Sequence, residues 1–336
     1  VRITDLAESP LISTSSISDL AENSLAIVTI VAADEDLSSV LSFSLFDSAG
    51  AKDEGLLAID SASGVLTFKT APNFESPTDL NADNTISLTI VVSDGALSAQ
   101  ADYTFSITDV NEIPNISTIS EHNYNEGITS LLTVEASDED ANSTLTYSLK
   151  SGSDIVDEAL FGINATSGLV AFLAAPDFES PSDVGSDNIY NFTVNVSDGS
   201  LTTSQAMILS VNNINEIPVF SIASAQSYTE NSGGTISVTA TDQDADSSMT
   251  YSLSGDDAAK FSISSTGVLS FIAAPNYENA SDYGSNNVFD VSVSATDGSL
   301  SSSVSLVISI ADDTTDNLGI RLPRNVSLAK LKPEVE

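Results

Sequence analysis

The sequence APNFESP at residues 71–77 returns 104 residues later as APDFESP at residues 175–181. A related sequence, APNYENA, occupies residues 274–280, which is 99 residues after the second copy. Self-similarity at a fixed period of this size is typical of tandem repeats. The chain of 336 residues is therefore predicted to contain three copies of one unit.

The boundaries of the copies follow from two related linker sequences. DVNEIP at residues 109–114 precedes the second copy, and NINEIP at residues 213–218 precedes the third. The predicted segments are, in chain order, the end of a preceding repeat or linker at 1–8, repeats at 9–112, 113–216 and 217–317, and a tail or linker at 318–336.

The patterning inside each copy is that of β-strands. The sequences LSFSL at residues 41–45 and FDVSVS at residues 289–294 alternate apolar and polar side chains. Alternation with period two is typical of a strand with one buried face. Several short strands in about 100 residues, separated by Gly, Asn, Asp and Pro, indicate a Greek-key β-sandwich. The expected fold class is all-β, with three tandem sandwiches forming an elongated rod.

Composition excludes several classes of function. The chain carries 9 Lys and Arg against 48 Asp and Glu, a formal net charge of −39, so a nucleic-acid partner is not expected. It has no Cys and a single His, which excludes disulfides, thiolate metal sites and a zinc site built on several His residues. No apolar run is long enough to cross a membrane in this segment. We expect a protein that is not an enzyme.

The acidic residues recur in each copy at matching positions. Each copy has a Glu near its start, an Asp-x-Asp, a Glu after Ala-Pro and an Asp-Gly. Isolated Asp and Asn residues are commonly turn formers, but Glu is a poor turn residue and also recurs. This many carboxylates repel one another in a compact protein unless a cation binds them. Ca²⁺ prefers six to eight oxygen ligands. The pattern predicts bound Ca²⁺ between successive repeats.

These motifs together resemble a pair of cadherin repeats. The resemblance spans residues 1–317, and the Asn-Glu-x-Pro linker with Ala-Pro-Asn/Asp-Phe-Glu is most similar to cadherin-like repeats of large bacterial surface or secreted adhesins of the RTX type. It implies cadherin-like, immunoglobulin-like sandwiches with Ca²⁺ at each junction. It also implies an extracellular location at the bacterial cell surface.

The resemblance implies a set of metal ligands at each junction. At the first junction they are Glu22, Glu75, Asn111, Glu112, Asp138, Asp140 and Asp198. At the second junction they are Glu126, Asp177, Glu179, Asn215, Glu216, Asp242, Asp244 and Asp297. At the amino end, Glu8, Asp34, Asp36 and Asp94 form the downstream half of another junction. Asn73 stands where the second copy has Asp177, so we expect the first junction to be slightly poorer in charge.

The implied function is that of a Ca²⁺-rigidified extender or adhesive segment, whose partners are calcium and neighbouring repeats of the same chain. An alternative is that the sandwiches themselves bind a polysaccharide or another cell-surface protein, including a like repeat. The sequence offers little for sugar binding, because it lacks Trp and is only 6% aromatic.

Overall fold

The computed structural model describes residues 8–35, 39–48, 50–140, 143–150, 157–232, 234–244 and 248–315. Within these ranges the chain forms β-strands and short 3₁₀ turns, and it contains no α-helix. No helix in the described ranges could therefore span a bilayer. The all-β fold class is confirmed. The predicted repeat boundaries stay a prediction and serve below as names for segments of sequence.

In the described part of the chain, each repeat contributes nine strands. In the first repeat they are β1 Leu11–Ile12, β2 Leu20–Ala21, β3 Ala26–Thr29, β4 Ala32–Ala33, β5 Ser42–Leu45, β6 Leu57–Ile59, β7 Val65–Phe68, β8 Thr85–Ser93 and β9 Ser98–Thr108. In the second they are β10 Asn115–Ile116, β11 Glu121–Asn125, β12 Ser130–Thr133, β13 Ala136–Ser137, β14 Thr146–Leu149, β15 Phe161–Ile163, β16 Leu169–Phe172, β17 Ile189–Ser197 and β18 Thr202–Asn212. In the third they are β19 Val219–Phe220, β20 Ala225–Thr229, β21 Thr235–Ser237, β22 Ala240–Thr241, β23 Thr250–Ser254, β24 Phe261–Ile263, β25 Val268–Phe271, β26 Val288–Thr296 and β27 Ser301–Ala311. The 3₁₀ turns are Glu54–Leu56, Glu158–Leu160, Ala258–Lys260 and Tyr277–Asn279.

The described residues fall into two compact units. The first unit combines residues up to His122 with those of Thr129–Ala174 and Tyr190–Ser210. The second combines Asn123–Ile128, Ala175–Ile189 and the residues from Val211 onward. As a result, the residues of the first junction all belong to the first unit, and those of the second junction all belong to the second.

The first unit contains the whole sandwich of the first repeat. One sheet has the strand order β2-β9-β8-β5, and the other has the order β3-β7-β6. Strands β2 and β9 are parallel, whereas the other pairs in these two sheets are antiparallel. Connections that cross between the two sheets are those of a Greek key. The same unit holds the β18-β17-β14 and β12-β16-β15 sets of the second repeat.

The second unit contains the sandwich of the third repeat. Its sheets have the orders β20-β27-β26-β23 and β21-β25-β24, so it repeats the topology of the first sandwich. Strand β26 buries alternate residues, as the sequence pattern predicts, and the core includes Phe289, Val291 and Val293. The long hairpin of β26 and β27 runs in continuous antiparallel register from Val288↔Ser309 to Thr296↔Ser301.

One glycine in each repeat is required by a close approach between strands. Gly64, Gly168 and Gly267 all have positive φ, between 71° and 76°. A Cβ at Gly64 would lie 2.7 Å from the carbonyl oxygen of Ile30, which is closer than van der Waals contact allows. This close approach, together with the positive φ, explains why only glycine fits at this position. The sequence analysis did not predict the contact.

A buried aspartate links the 3₁₀ turn of each sandwich to its long central strand. Asp53 is 5% exposed, and its carboxylate accepts hydrogen bonds from the backbone N–H groups of Leu80 and Ser87, each at 2.8 Å. Asp257 accepts equivalent bonds from the N–H groups of Tyr283 and Asp290 at 2.7 and 2.9 Å. These acids are structural, although the sequence alone does not separate them from metal ligands.

We therefore expect Asp53→Asn to lower the free energy of unfolding of the first repeat by about 2 kcal/mol, because charge-assisted hydrogen bonds are lost. Calorimetric melting measures the change. The matched control is Asp60→Asn, since Asp60 is exposed and the second repeat has Asn164 at the same place in the same turn. Equal melting temperatures for the two variants would contradict the assignment.

Candidate metal centre

A buried glutamate forms the base of the first junction. Glu22 is 3% exposed, and each of its carboxylate oxygens accepts a backbone hydrogen bond. Oε2 accepts from the N–H of Phe74 at 2.7 Å, and Oε1 accepts from the N–H of Val110 at 2.9 Å. One side chain thereby ties the Ala-Pro-Asn-Phe-Glu loop to the linker that leads into the second repeat.

The same arrangement recurs in the other two repeats. Glu126 accepts from the N–H groups of Phe178 and Ile214, both at 2.8 Å. Glu230 accepts from the N–H of Tyr277 at 2.6 Å and from the N–H of Asp313 at 2.9 Å. The repeated Glu of the sequence is thus an internal anchor that brings the other acids of the loop and linker together.

Two groups of carboxylates lie at the first junction. Carboxylate oxygens of the first group lie within 4.8 Å of one another, and so do those of the second. The first group is Glu22, Glu75, Asp109 and Glu112, and the second is Asp138, Asp140 and Asp198. The backbone N–H of Glu112 donates to Oδ2 of Asp140 at 3.0 Å, which connects the linker directly to the Asp-x-Asp loop of the second repeat.

The second junction also has two groups, but their membership differs. Its two groups share Glu179 and are Glu126, Asp177 and Glu179, and Glu179, Glu216 and Asp244. The backbone N–H of Glu216 donates to Oδ2 of Asp244 at 3.0 Å, which reproduces the bond from Glu112 to Asp140.

Linker asparagines connect each linker to the Asp-Gly turn of the next repeat. Nδ2 of Asn111 donates to Oδ2 of Asp198 at 2.8 Å, and Nδ2 of Asn215 donates to Oδ2 of Asp297 at 2.8 Å. The two Asp-Gly aspartates also accept hydrogen bonds from backbone N–H groups of their own turns. These donors keep the pKa of Asp198 and Asp297 below the ordinary range, so both carboxylates stay charged.

The pKa values of several glutamates in the carboxylate groups are shifted in the opposite direction, upward. Burial, and then the negative charges of Glu126, Asp244, Glu179 and Asp177, raise the pKa of Glu216 to about 6. Burial and neighbouring carboxylates likewise raise the pKa of Glu75, Glu112 and Glu179 above the ordinary value. Like charges at 4 Å repel by about 1 kcal/mol in water and about 4 kcal/mol near a protein surface. Each junction is therefore electrostatically unfavourable on its own.

The donor set fits a hard dication. In the described residues, one inaccessible carboxylate oxygen accepts no hydrogen bond in each of Glu75, Glu112, Asp138, Glu179, Glu216 and Asp242. A buried acceptor without a partner is costly, and these six oxygens all belong to residues of the two junctions. Unpartnered buried oxygens also occur away from the junctions, in Glu158, Asn188, Tyr190 and Ser302. Oxygen-only ligands with a high negative charge are those that Ca²⁺ prefers.

The predicted ligands divide into those that the structure brings together and those that it does not. Glu8, Asp34 and Asp94 join none of the carboxylate groups found among the described residues, and Asp36 lies outside those residues. Asp242 also joins no group, although its Oδ1 accepts the backbone N–H of Asp244 at 3.0 Å. The role of every predicted ligand stays a prediction.

The sequence analysis missed four members of these groups. Asp109 lies with the acids of the first junction, and Glu230, Glu278 and Asp312 form a fifth group at the end of the third repeat. The repeat alignment could have identified two of them, because Glu230 and Glu278 occupy the repeat positions of Glu22 and Glu75.

The expectation that the first junction is poorer in charge is wrong. The first junction has Asp109 and Glu139 where the second has Asn213 and Gln243, and this outweighs the exchange of Asp177 for Asn73. The error came from counting the loop alone, whereas Asp109 lies within the first group and Asn213 donates to Oε1 of Glu179 at 2.9 Å.

Comparison with known proteins finds similarity only among solved structures. No family model and no curated protein matches the chain. Mouse cadherin-23 EC22-24 is 21% identical, with a TM-score of 0.49, 90% of this chain covered and 99% of that one. The protocadherin GammaB4 extracellular domain is 21% identical, with a TM-score of 0.47, and the match covers 92% of this chain and about half, 51%, of that one. Drosophila N-cadherin EC1-4 is 17% identical, with a TM-score of 0.38 and coverages of 92% and 77%.

In chelator, we expect the protein to be more stable near pH 5 than at pH 7. A carboxyl whose pKa is raised in the folded state stabilises the fold below its ordinary pKa, and this contribution is lost as the pH rises through about 6 for Glu216. Thermal melting between pH 5 and pH 7 measures the effect.

Glu216→Gln should flatten this dependence, whereas the control Glu135→Gln, at an exposed site outside the groups, should leave it unchanged. A melting temperature that rises steadily from pH 5 to pH 7 in chelator would contradict the charge assignment.

Proposed function

We propose that the chain is a calcium-binding, cadherin-like segment that acts as a Ca²⁺-rigidified extender or adhesive region of a large bacterial cell-surface adhesin. The observation that carries the proposal is the orphaned carboxylate oxygen, present in Glu75 and Glu112 at the first junction and in Glu179 and Glu216 at the second. These oxygens come from the upstream repeat and the linker, and Asp138 and Asp242 of the downstream repeats add one each.

The carboxylates of a junction come from both of the repeats that meet there. Glu22 and Glu75 belong to the first repeat, Glu112 to its linker, and Asp138 and Asp140 to the second repeat. Bound Ca²⁺ supplies the positive charge that six to eight such oxygens can share. When bound Ca²⁺ cancels the repulsion between these carboxylates, the two repeats can keep one relative orientation. Without Ca²⁺, the repulsion favours separation of the two repeats.

The proposed location follows from affinity. Extracellular Ca²⁺ modules bind with dissociation constants of about 10⁻⁴–10⁻³ M, which is suited to calcium levels outside a cell. Because the chain has no Cys, disulfides contribute nothing to its rigidity, which leaves bound ions to supply it.

Small-angle scattering of the full chain in millimolar Ca²⁺ and in chelator tests the proposal. We expect a larger maximum dimension and a narrower range of conformations with Ca²⁺. The double variant Asp138→Ala/Asp140→Ala should lose this response at the first junction and keep it at the second.

The matched control is Asp83→Ala/Asp187→Ala, which removes the same charge from loop positions outside the carboxylate groups. This control should respond to Ca²⁺ as the unmodified chain does. Identical scattering of the unmodified chain in Ca²⁺ and in chelator would overturn the proposal.

A further inference from the structure

A second kind of contact crosses each junction beside the carboxylate groups. At the first, Nδ2 of Asn73 donates to Oε2 of Glu139 at 3.2 Å. At the second, Nε2 of Gln243 donates to Oδ2 of Asp177 at 2.9 Å. Residues 73 and 177 are equivalent in the repeat alignment, and so are residues 139 and 243. The same contact is therefore made twice, with the amide and the acid exchanged.

We call residues 73 and 177 the exit residues and residues 139 and 243 the receiving residues. The exit residue is held in one orientation by a turn, because its Oδ1 accepts a backbone N–H three residues later. For Asn73 this donor is Ser76 at 2.7 Å, and for Asp177 it is Ser180 at 3.0 Å. Either Asn or Asp can make this turn, since both carry Oδ1.

The second atom of the exit side chain is then what faces the next repeat. In Asn73 that atom is Nδ2, a donor, and it meets a carboxylate; in Asp177 it is Oδ2, an acceptor, and it meets an amide. The exchanged combinations would fail in different ways. Asp opposite Glu places two carboxylates together, and Asn opposite Gln gives up the charge-assisted hydrogen bond.

We propose that this pair is a specificity contact, in which the exit residue of one repeat selects the repeat that can follow it through a hydrogen bond that is present without Ca²⁺. An acidic exit residue accepts an amide receiving residue, and an amide exit residue accepts an acid. Two junctions of one chain satisfy this rule by opposite choices, which indicates that the two positions are coupled rather than chosen separately.

The rule also gives the chemistry of partners for the remaining positions. The third repeat has Asn276 at its exit position, but its side chain does not cap the turn that follows, so the rule predicts only that a following repeat with Asp or Glu at the receiving position is the better match. The first repeat has Glu35 at its receiving position, so a repeat placed before it should carry Asn or Gln at the exit position. The partner surface in each case is another repeat of the same type.

A double-mutant cycle on the full chain in chelator tests the inference. Since the sequence has no Cys, Ser98→Cys and Thr166→Cys, at exposed sites in the first and second repeats, accept spin labels without competing thiols. Asn73→Asp should broaden and shift the interlabel distance distribution towards longer distances, because it opposes two carboxylates. Glu139→Gln should broaden it less.

The double variant Asn73→Asp/Glu139→Gln copies the pair of the second junction and should restore the distance distribution that the unmodified chain shows in chelator. The control Asn81→Asp introduces the same charge beside Asp83 of its own repeat and should change nothing. A double variant as broad as Asn73→Asp alone, or no broadening by Asn73→Asp, would overturn the inference. Because the measurement is made without Ca²⁺, its outcome is separate from that of the scattering experiment.

Discussion

The structure of each junction depends on one carboxylate that is buried and fully hydrogen-bonded to the backbone. Glu22, Glu126 and Glu230 are 3%, 9% and 1% exposed, and in all three the two oxygens accept N–H groups from a loop and from the following linker. Two backbone donors therefore satisfy both oxygens of each buried carboxylate. Each carboxylate also fixes the linker next to the loop, which brings the remaining acids within 4.8 Å of each other.

That anchoring creates an electrostatic conflict which the chain does not resolve by itself. The raised pKa of Glu216 and the orphaned oxygens of Glu75 and Glu112 are two consequences of the same crowding. A protein that only needed solubility could spread its carboxylates over the surface, where they repel little. Here they converge from both sides of a linker, which favours a ligand-dependent joint over a general surface charge. The exchanged pair at residues 73 and 139 adds a contact that needs no ion.

Much of the fold could be predicted from the sequence because its signals are periodic and repeated. The alternation in LSFSL at residues 41–45 predicts strand β5. The equivalent repeat positions of Glu22 and Glu126 predict that the two residues have a common role. The roles of single acids were harder to predict. Asp53 and Asp138 are both repeated aspartates, yet one accepts two backbone N–H groups in the core and the other lies at a junction. Only three-dimensional partners distinguish them.

Cross-junction chemistry was beyond sequence reasoning for a related reason. The exchange of Asn73 with Asp177 looked like a loss of charge until Glu139 and Gln243 were seen opposite them. A contact between residues 66 positions apart cannot be predicted from one sequence without an alignment of many related sequences. The fit of each junction is therefore a property of two repeats together, and a single repeat contains half of the information.

Equilibrium dialysis of the full chain against Ca²⁺ at pH 7.5 measures whether the converging carboxylates bind the ion. We expect saturable binding of more than one Ca²⁺ per chain in the submillimolar to millimolar range, typical of extracellular modules. We also expect that Glu112→Gln combined with Glu216→Gln lowers the binding at both junctions, while Glu135→Gln does not. No saturable binding up to several millimolar Ca²⁺ would contradict the account, because the converging carboxylates would then be ordinary surface charge.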